Sequence, residues 1–408
     1  MKPLRILQIG FHVGEEDFAR WTATDANPQN AARKLEGRYI RGYVENDVKV
    51  SVLSFFPATN FPGNKKIFFG ASHKSDKCGE NYTAPFINIM LLKHITRFLS
   101  CLFFLVWWNL KERGTRKNVV VYSVHSPFLV ACWFARMLLG ARIYVIIPDL
   151  PSHMNFGQER GSLWKLLKSI DVRFLDNLLS KVSGVSVVTE SMSESSSNWS
   201  NVPAVIIEGM VEPTEKIVRE NKVSRKIFFY TGGLASDYGV SALLAAFDLL
   251  RKERNDIELW ICGRGELSGK IEALASLHDD IKYFGYIPQK EIDVLMRSVF
   301  CLINCRNPLD EFVRYSFPSK LLEYLLTGIP ILTTRLPGVP DEYNKYFNHI
   351  DGGSPEMIAD AIRKMLVVPV DYSNRKAAEG REFVLKEKNS KMQVLKLLKL
   401  IREKEYYV

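Results

Sequence analysis

The chain has no low-complexity segment and no collagen-like repeat, so disordered and fibrous classes are excluded and a folded globular protein is expected. Cysteine is scarce and unpatterned. Cys78, Cys101, Cys132, Cys262, Cys301 and Cys305 show neither the pairing of a disulfide framework nor the spacing of a zinc site. Cys301 and Cys305 lie in or just after an apolar run with no histidine nearby, as buried thiols do, and a reducing cytosol fits. There is no zinc finger, helix-turn-helix signature or aromatic RNA-binding motif, which argues against nucleic acid as a partner. The start, MKPLRILQIGFHVG, holds too few apolar residues before Gly10 and His12 for an export signal and reads as a first β-strand, so a chain that is not exported is expected. Long apolar runs are also missing. The uncharged stretch Phe98 to Leu110 rises roughly 20 Å as a helix, short of a bilayer core of roughly 30 Å.

What is present points to two domains. A length of 408 residues exceeds what one core usually organises, and apolar and charged contents of 47% and 25% are ordinary for a globular protein. Apolar strand-like runs alternate with helical periodicity from Leu4 to Glu208, and the alternation restarts at Lys226 after a charged, aperiodic stretch. This is the pattern of parallel α/β sheets. The expected division is residues 1–213 and 226–385, each Rossmann-like, followed by a last helix in 386–408. Ligands of such sheets collect beyond the carboxyl ends of the strands.

The net charge of +10 favours anionic partners. Basic residues gather beside the apolar segment: Lys93 and Arg97 precede it within a polar stripe that includes Thr96 and Ser100, while Lys111, Arg113, Arg116 and Lys117 follow Trp107 and Trp108. Tryptophans with a basic flank suit a helix lying in the headgroup region of a membrane. A core helix of the first domain fits the same residues. Trp164, Lys165, Lys168 and Arg173 make a second basic helix.

The most informative stretch is RYSFPSKLLEYLLTG, residues 314–328. Pro318 fixes φ, Ser319 and Lys320 open a short amphipathic helix, and Gly328 ends it. A helix N-terminus beside a lysine gathers unpaired N–H groups, the positive end of the dipole and an ammonium at one spot, as phosphate sites do. Glu323, one turn on from Ser319, could accept hydrogen bonds from the vicinal hydroxyls of a ribose. A capped helix with a surface Lys320–Glu323 pair is the other reading of the same spacing.

With IPILTTRLPGVPDEY after it, this stretch resembles the retaining family-4 glycosyltransferases of the GT-B fold, and within them the bacterial polysaccharide-assembly members. The resemblance is strong from about Phe228 to Tyr343 and looser before that. It implies two Rossmann-like domains facing across a cleft, with a last helix returning to the first domain. It further implies a nucleotide-diphosphate sugar as co-substrate and a glycan or polyprenyl-linked acceptor. The implied donor-binding residues are Gly232, Gly233, Arg264, Tyr286, Arg314, Ser316, Pro318, Ser319, Lys320 and Glu323. The catalytic candidates are His125 and Asp149, at adjacent strand ends in VYSVHSP and VIIPDLPSH, together with Lys320; His153 is a weaker one.

This chain departs from the family at three places. Where the family carries an arginine and, five residues later, a lysine for the diphosphate, it has Gly233 and Tyr238; a family glutamate is replaced by Tyr315. The missing charge must come from elsewhere, with Lys320, Arg314, Arg306 and Arg264 as candidates, and Glu311 or Arg314 could stand in for the lost glutamate. There is no Asp-x-Asp pair for a sugar-nucleotide metal, and Asp279 and Asp280 read as a solvated turn, so no metal or other cofactor is expected. The expected location is cytoplasmic, peripheral on the inner face of the plasma membrane. A sugar-nucleotide epimerase of the same architecture and a degenerate non-catalytic subunit remain alternatives. The first would convert a donor without acceptor, and the second would bind no donor.

Overall fold

A computed structural model of the chain describes residues 4–23, 25, 29–76, 79–112, 116–150, 162–196, 198–213, 217 and 225–406, leaving aside the side chains of 116, 162–167 and 404–406. Cys78, Arg113, His153 and the side chains of Trp164 and Lys165 lie outside this description, as does most of the expected linker. The chain forms two compact units, Met1–Met210 with Ser390–Val408, and Val211–Asn389.

In the first unit the strands are β1 (Leu4–Gly10), β2 (Lys49–Ser54), β3 (Phe68–Phe69), β4 (Ser72–Asp76), β5 (Gly79–Thr83), β6 (Phe86–Ile87), β7 (Arg116–Tyr122), β8 (Arg142–Ile147), β9 (Gly184–Val187) and β10 (Ala204–Ile206). Its helices are α1 (Glu15–Thr22), α2 (Asn30–Glu45), α3 (Met90–Lys111), α4 (Ser126–Leu139), α5 (Ser162–Leu179) and the short α6 (Glu190–Ser193). The main sheet runs β10-β9-β8-β7-β1-β2-β5-β4, parallel except for the edge pair β4–β5. Its middle strands read as apolar runs such as VVVY and YVII because both faces are covered.

The second unit contains β11 (Lys226–Thr231), α7 (Val240–Leu250), β12 (Ile257–Cys262), α8 (Ser268–Leu277), β13 (Ile281–Tyr283), α9 (Gln289–Leu295), β14 (Cys301–Asn304), α10 (Ser319–Thr327), β15 (Ile331–Thr334), β16 (Asn348–Ile350), α11 (Pro355–Val367) and α12 (Val370–Glu387). Its sheet is parallel throughout, in the order β13-β12-β11-β14-β15-β16. Numbered from its own first strand, that order is 3-2-1-4-5-6, the dinucleotide-binding arrangement. The final helix, α13 (Ser390–Tyr406), belongs to the first unit: Val394, Leu397, Leu398 and Ile401 pack with Tyr39, Ile40 and Tyr43 of α2.

The apolar periodicity predicts no element between β2 and α3, yet β3 to β6 lie there. Strands SHKSD and GENYT are polar because they form the sheet's edge, where alternation carries no signal.

The larger correction concerns α3. Its cationic stripe faces inward: Lys93 is 6% exposed and Arg97 4%, and with Cys101, Leu105 and Trp108 they form the buried face. Lys93 Nζ donates to Ala58 O (2.5 Å) and Asn60 Oδ1 (2.9 Å), and Arg97 donates to Phe56 O (2.7 Å), so the cations hold the chain that follows β2. Ser100 Oγ likewise donates to Pro85 O at 2.7 Å. The apolar side of the helix is the one left open. Leu91, Ile95, Leu99, Phe103 and Leu110 are exposed, Phe103 by 76%. Helix α3 is long and apolar enough to cross a membrane by length and composition, but its inner face is packed on α4 and β6.

Candidate functional site

A parallel sheet delivers every strand-to-helix turn to one edge, so sequence-distant residues meet there. In each unit the strand order reverses at one point, between β1 and β7 in the first and between β11 and β14 in the second. Helices leave in opposite directions at such a point and open a crevice.

At the second unit's edge stand Gly232 and Gly233 after β11, Arg264 after β12, Tyr286 after β13, Arg314 to Pro318 between β14 and α10, and Ser319 and Lys320 opening α10. Their placement is fixed from below by Tyr324 of α10. Its buried hydroxyl accepts from Thr231 N–H (2.9 Å) and donates to Thr231 O (3.2 Å), tying the helix to the end of β11. Pro318 is the N-cap of α10 and no side chain caps that end. The first-turn N–H groups therefore depend on water or a ligand beyond the bond from Leu321 N–H to Pro318 O.

Lys320 Nζ donates to Glu323 Oε2 at 2.6 Å, so the i,i+3 pair of the simpler reading is formed. Both side chains are partly exposed, and a pair of that kind holds the two groups together weakly, by about 0.5 kcal/mol. Ser319 is exposed beside them. Ser316 Oγ is buried without a hydrogen-bond partner among the described residues. Arg314 is exposed at the end of a 3₁₀ turn, Glu311–Tyr315. The guanidinium of Arg264 stacks on the exposed ring of Tyr286 at 4.8 Å, making an open shelf at the ends of β12 and β13.

The Gly233 turn is shaped by Tyr238. A Cβ on residue 233 would lie 2.8 Å from the Tyr238 ring, and Tyr230 Oη donates to Gly233 O at 2.8 Å. Gly239, at φ 76°, starts α7; a Cβ there would meet Cys305 O at 1.9 Å, so only glycine serves. Burial pushes the Cys305 thiol up to about 12, consistent with an inert core cysteine.

In the first unit His125 follows β7 as the N-cap of α4, and Asp149 follows the neighbouring β8. Among the described residues no hydrogen bond joins the two. Ser123, just before, adopts φ 70°, a strained backbone that aims the turn. The His125 ring packs on Phe128 (4.6 Å) and on Phe11 (5.4 Å) from the end of β1, so it stands at the reversal point of its sheet. Arg97 NH1 lies 3.3 Å from His125 Nε2. Burial, then the cations Arg97 and Lys93 with His94, hold His125 well below the ordinary histidine value. It is therefore neutral, with Nε2 accepting from Arg97 and the proton on Nδ1. Desolvation raises Asp149 above the usual carboxylate range.

Composition and spacing gave no hint of Glu36. Its carboxylate accepts from Phe11 N–H (2.7 Å) and from Gln8 Nε2 (3.4 Å), fixing the turn after β1, and burial raises it to about 7. It sits on the inner face of an ordinary-looking amphipathic helix. Among the described residues no three His, Cys, Asp or Glu side chains gather in a way that could hold a metal ion.

Residues 212–383 match the family described as "Glycosyl transferases group 1". No curated protein sequence matches the chain. Among solved structures it is similar to sucrose-phosphate synthase from Thermosynechococcus elongatus, with 13% identity, TM-score 0.63, and coverage of 99% of this chain and 100% of that one. The lipopolysaccharide outer core galactosyltransferase WaaB gives 14% identity and TM-score 0.62 over 98% of this chain and all of the other. HepE of Anabaena, solved with UDP and glucose, gives 12% identity and TM-score 0.58 over 99% of each.

Proposed function

Residues 212–383 are a group 1 glycosyl transferase domain in a chain of GT-B fold, and from that premise we propose that the protein moves a sugar, with retention, from a nucleotide-diphosphate sugar to a glycan or lipid-linked glycan acceptor in bacterial surface-polysaccharide assembly. One observation carries the donor part: the N-terminus of α10, free of any side-chain cap, with Lys320 and Glu323 a turn apart at the carboxyl edge of a 3-2-1-4-5-6 sheet. In this reading a diphosphate takes the helix end and the Lys320 ammonium, while Glu323, released from the lysine, accepts from the ribose hydroxyls. Fixed positive groups then stabilise the leaving diphosphate without a metal.

The first unit is assigned the acceptor. Neutral His125 presents Nδ1–H as a hydrogen-bond donor rather than a base, because Nε2 is engaged by Arg97. Asp149, raised by desolvation, accepts from or orients an acceptor hydroxyl, and the leaving phosphate takes the acceptor proton.

The reading also places the protein on the inner face of the plasma membrane. The exposed apolar side of α3 is continued by Met137 and Leu138 of α4 (Leu138 72% exposed) and by Ile170 and Phe174 of α5, helices packed in sequence against one another. Lys111, Arg136, Arg173 and Lys181 are exposed on the same three helices and the turn after α5. An apolar face rimmed by cations is complementary to anionic lipid.

The direct test is release of nucleoside diphosphate from a panel of nucleotide sugars with a polyprenyl-diphosphate-linked glycan acceptor, the anomeric configuration of the product being read by NMR. Acceptor-dependent release with one donor and retained configuration is expected. No release by folded protein with any donor would overturn the reading.

A further inference from the structure

Arg306 is a cation of the second unit that no carboxylate among the described residues answers. It follows β14 and so stands at the point where the strand order reverses, across from the Gly232–Gly233 turn that follows β11. Its guanidinium lies 4.6 Å from the centroid of the Tyr238 ring and 6.0 Å from that of Phe312. Among the described residues it has no carboxylate partner and no hydrogen bond from its guanidinium; only its carbonyl is engaged, accepting from Thr334 Oγ1 at 2.7 Å. It is partly buried, and desolvation lowers its pKa.

A partly buried guanidinium with no acceptor from the described residues keeps its five N–H donors and its charge for water or a ligand. Stacking on an aromatic ring fixes its plane but uses none of those donors. Among the described residues no carboxylate pairs with it: its neighbours are the Tyr238 ring, and Tyr230 and Cys305, whose pKa values burial raises. A ligand that brings its own negative charge satisfies the site.

Tyr238 explains how the arginine comes to be there. Its ring lies against Gly233, where a side chain on residue 233 would collide with it, so the turn after β11 leaves no room there for a longer residue. The same ring is the platform on which Arg306 rests. We infer that Arg306, seated on Tyr238, binds the diphosphate of the donor at the reversal point of the second sheet, the cation reaching the site from the end of β14 in place of one from the turn after β11. This rests on the nucleotide-sugar reading of the second unit, and it assigns Tyr238 as a positioning residue that sets the guanidinium plane.

The test is calorimetric titration of the full-length protein with nucleoside diphosphates and with the corresponding nucleosides, for wild type, Arg306→Gln, Arg306→Lys and Tyr238→Leu. Losing a charge-assisted contact should weaken diphosphate binding by at least about tenfold in Arg306→Gln and leave the nucleoside unaffected. Arg306→Lys should recover part of the loss. Tyr238→Leu should weaken the diphosphate less than Arg306→Gln does, because it frees the arginine without removing its charge. Equal binding of diphosphate by Arg306→Gln and wild type overturns the inference, as does equal weakening of nucleoside and diphosphate in a variant whose melting temperature is unchanged. If Arg306→Gln does not fold, the Arg306→Lys and Tyr238→Leu titrations decide, and diphosphate binding unchanged in both overturns the inference. Absence of diphosphate binding by wild type would instead sink the nucleotide-sugar reading itself.

Discussion

Glu36→Gln should change how the first unit responds to pH. The carboxyl is fully buried, and burial raises it from 4.5 to about 7 against the opposing hydrogen bonds from Phe11 and Gln8. Between those two values the folded chain keeps a proton that the unfolded chain has released. For an acid whose folded pKa is raised, stability falls as pH rises through that window and is level above it. A displacement of that size is worth roughly 3 kcal/mol. Glutamine keeps the volume and can still accept from Phe11 N–H, while its neutral amide has nothing to lose. Chemical unfolding of wild type and variant should therefore be compared at pH 5, 6, 7 and 8, the difference at each pH removing the contribution of all other groups. A variant more stable by under about 1 kcal/mol at pH 5 and by roughly 3 kcal/mol at pH 8 is expected. A difference that does not change with pH would show that Glu36 ionises normally and would refute the burial argument.

Gly239→Ala should destabilise the second unit by at least about 2 kcal/mol, since φ 76° and the 1.9 Å approach to Cys305 O leave no room for Cβ; urea unfolding followed through Trp260 measures it. Tyr324→Phe removes the hydroxyl that serves Thr231, leaving a buried N–H unanswered, and should cost about 1–3 kcal/mol together with weaker donor binding. Replacing Leu99 and Phe103 together by glutamate should abolish co-sedimentation with anionic vesicles without lowering the melting temperature, because both side chains already face outward; undiminished sedimentation would remove α3 from the membrane surface.

The two sheets were readable because their strands are apolar on both faces and the helices between them keep a regular period. The stretch from Pro318 to Gly328 was readable down to its boundaries, since proline, serine and glycine act there through backbone geometry that does not depend on distant residues. What escaped depends on partners far along the chain. The polar edge strands Ser72–Asp76 and Gly79–Thr83 are strands only because β2 offers them an edge. The stripe of Lys93 and Arg97 fitted both a membrane-surface helix and a core helix by sequence, and carbonyls of Phe56 and Ala58 turn it inward. Glu36 resembles any surface glutamate until β1 closes over it. Arg306 was one cation among four candidates until Tyr238 was found beneath it.

The central claim is that the start of α10 holds a nucleoside diphosphate, and calorimetric titration of wild type and Glu323→Ala with a panel of nucleoside diphosphates tests it most directly. Glu323 is exposed and its pair with Lys320 contributes little to stability, so the variant should melt with wild type. Binding of at least one nucleoside diphosphate by wild type, weakened tenfold or more in the variant, is the predicted result. Equal affinity in the two proteins, or no binding by wild type, would contradict the account.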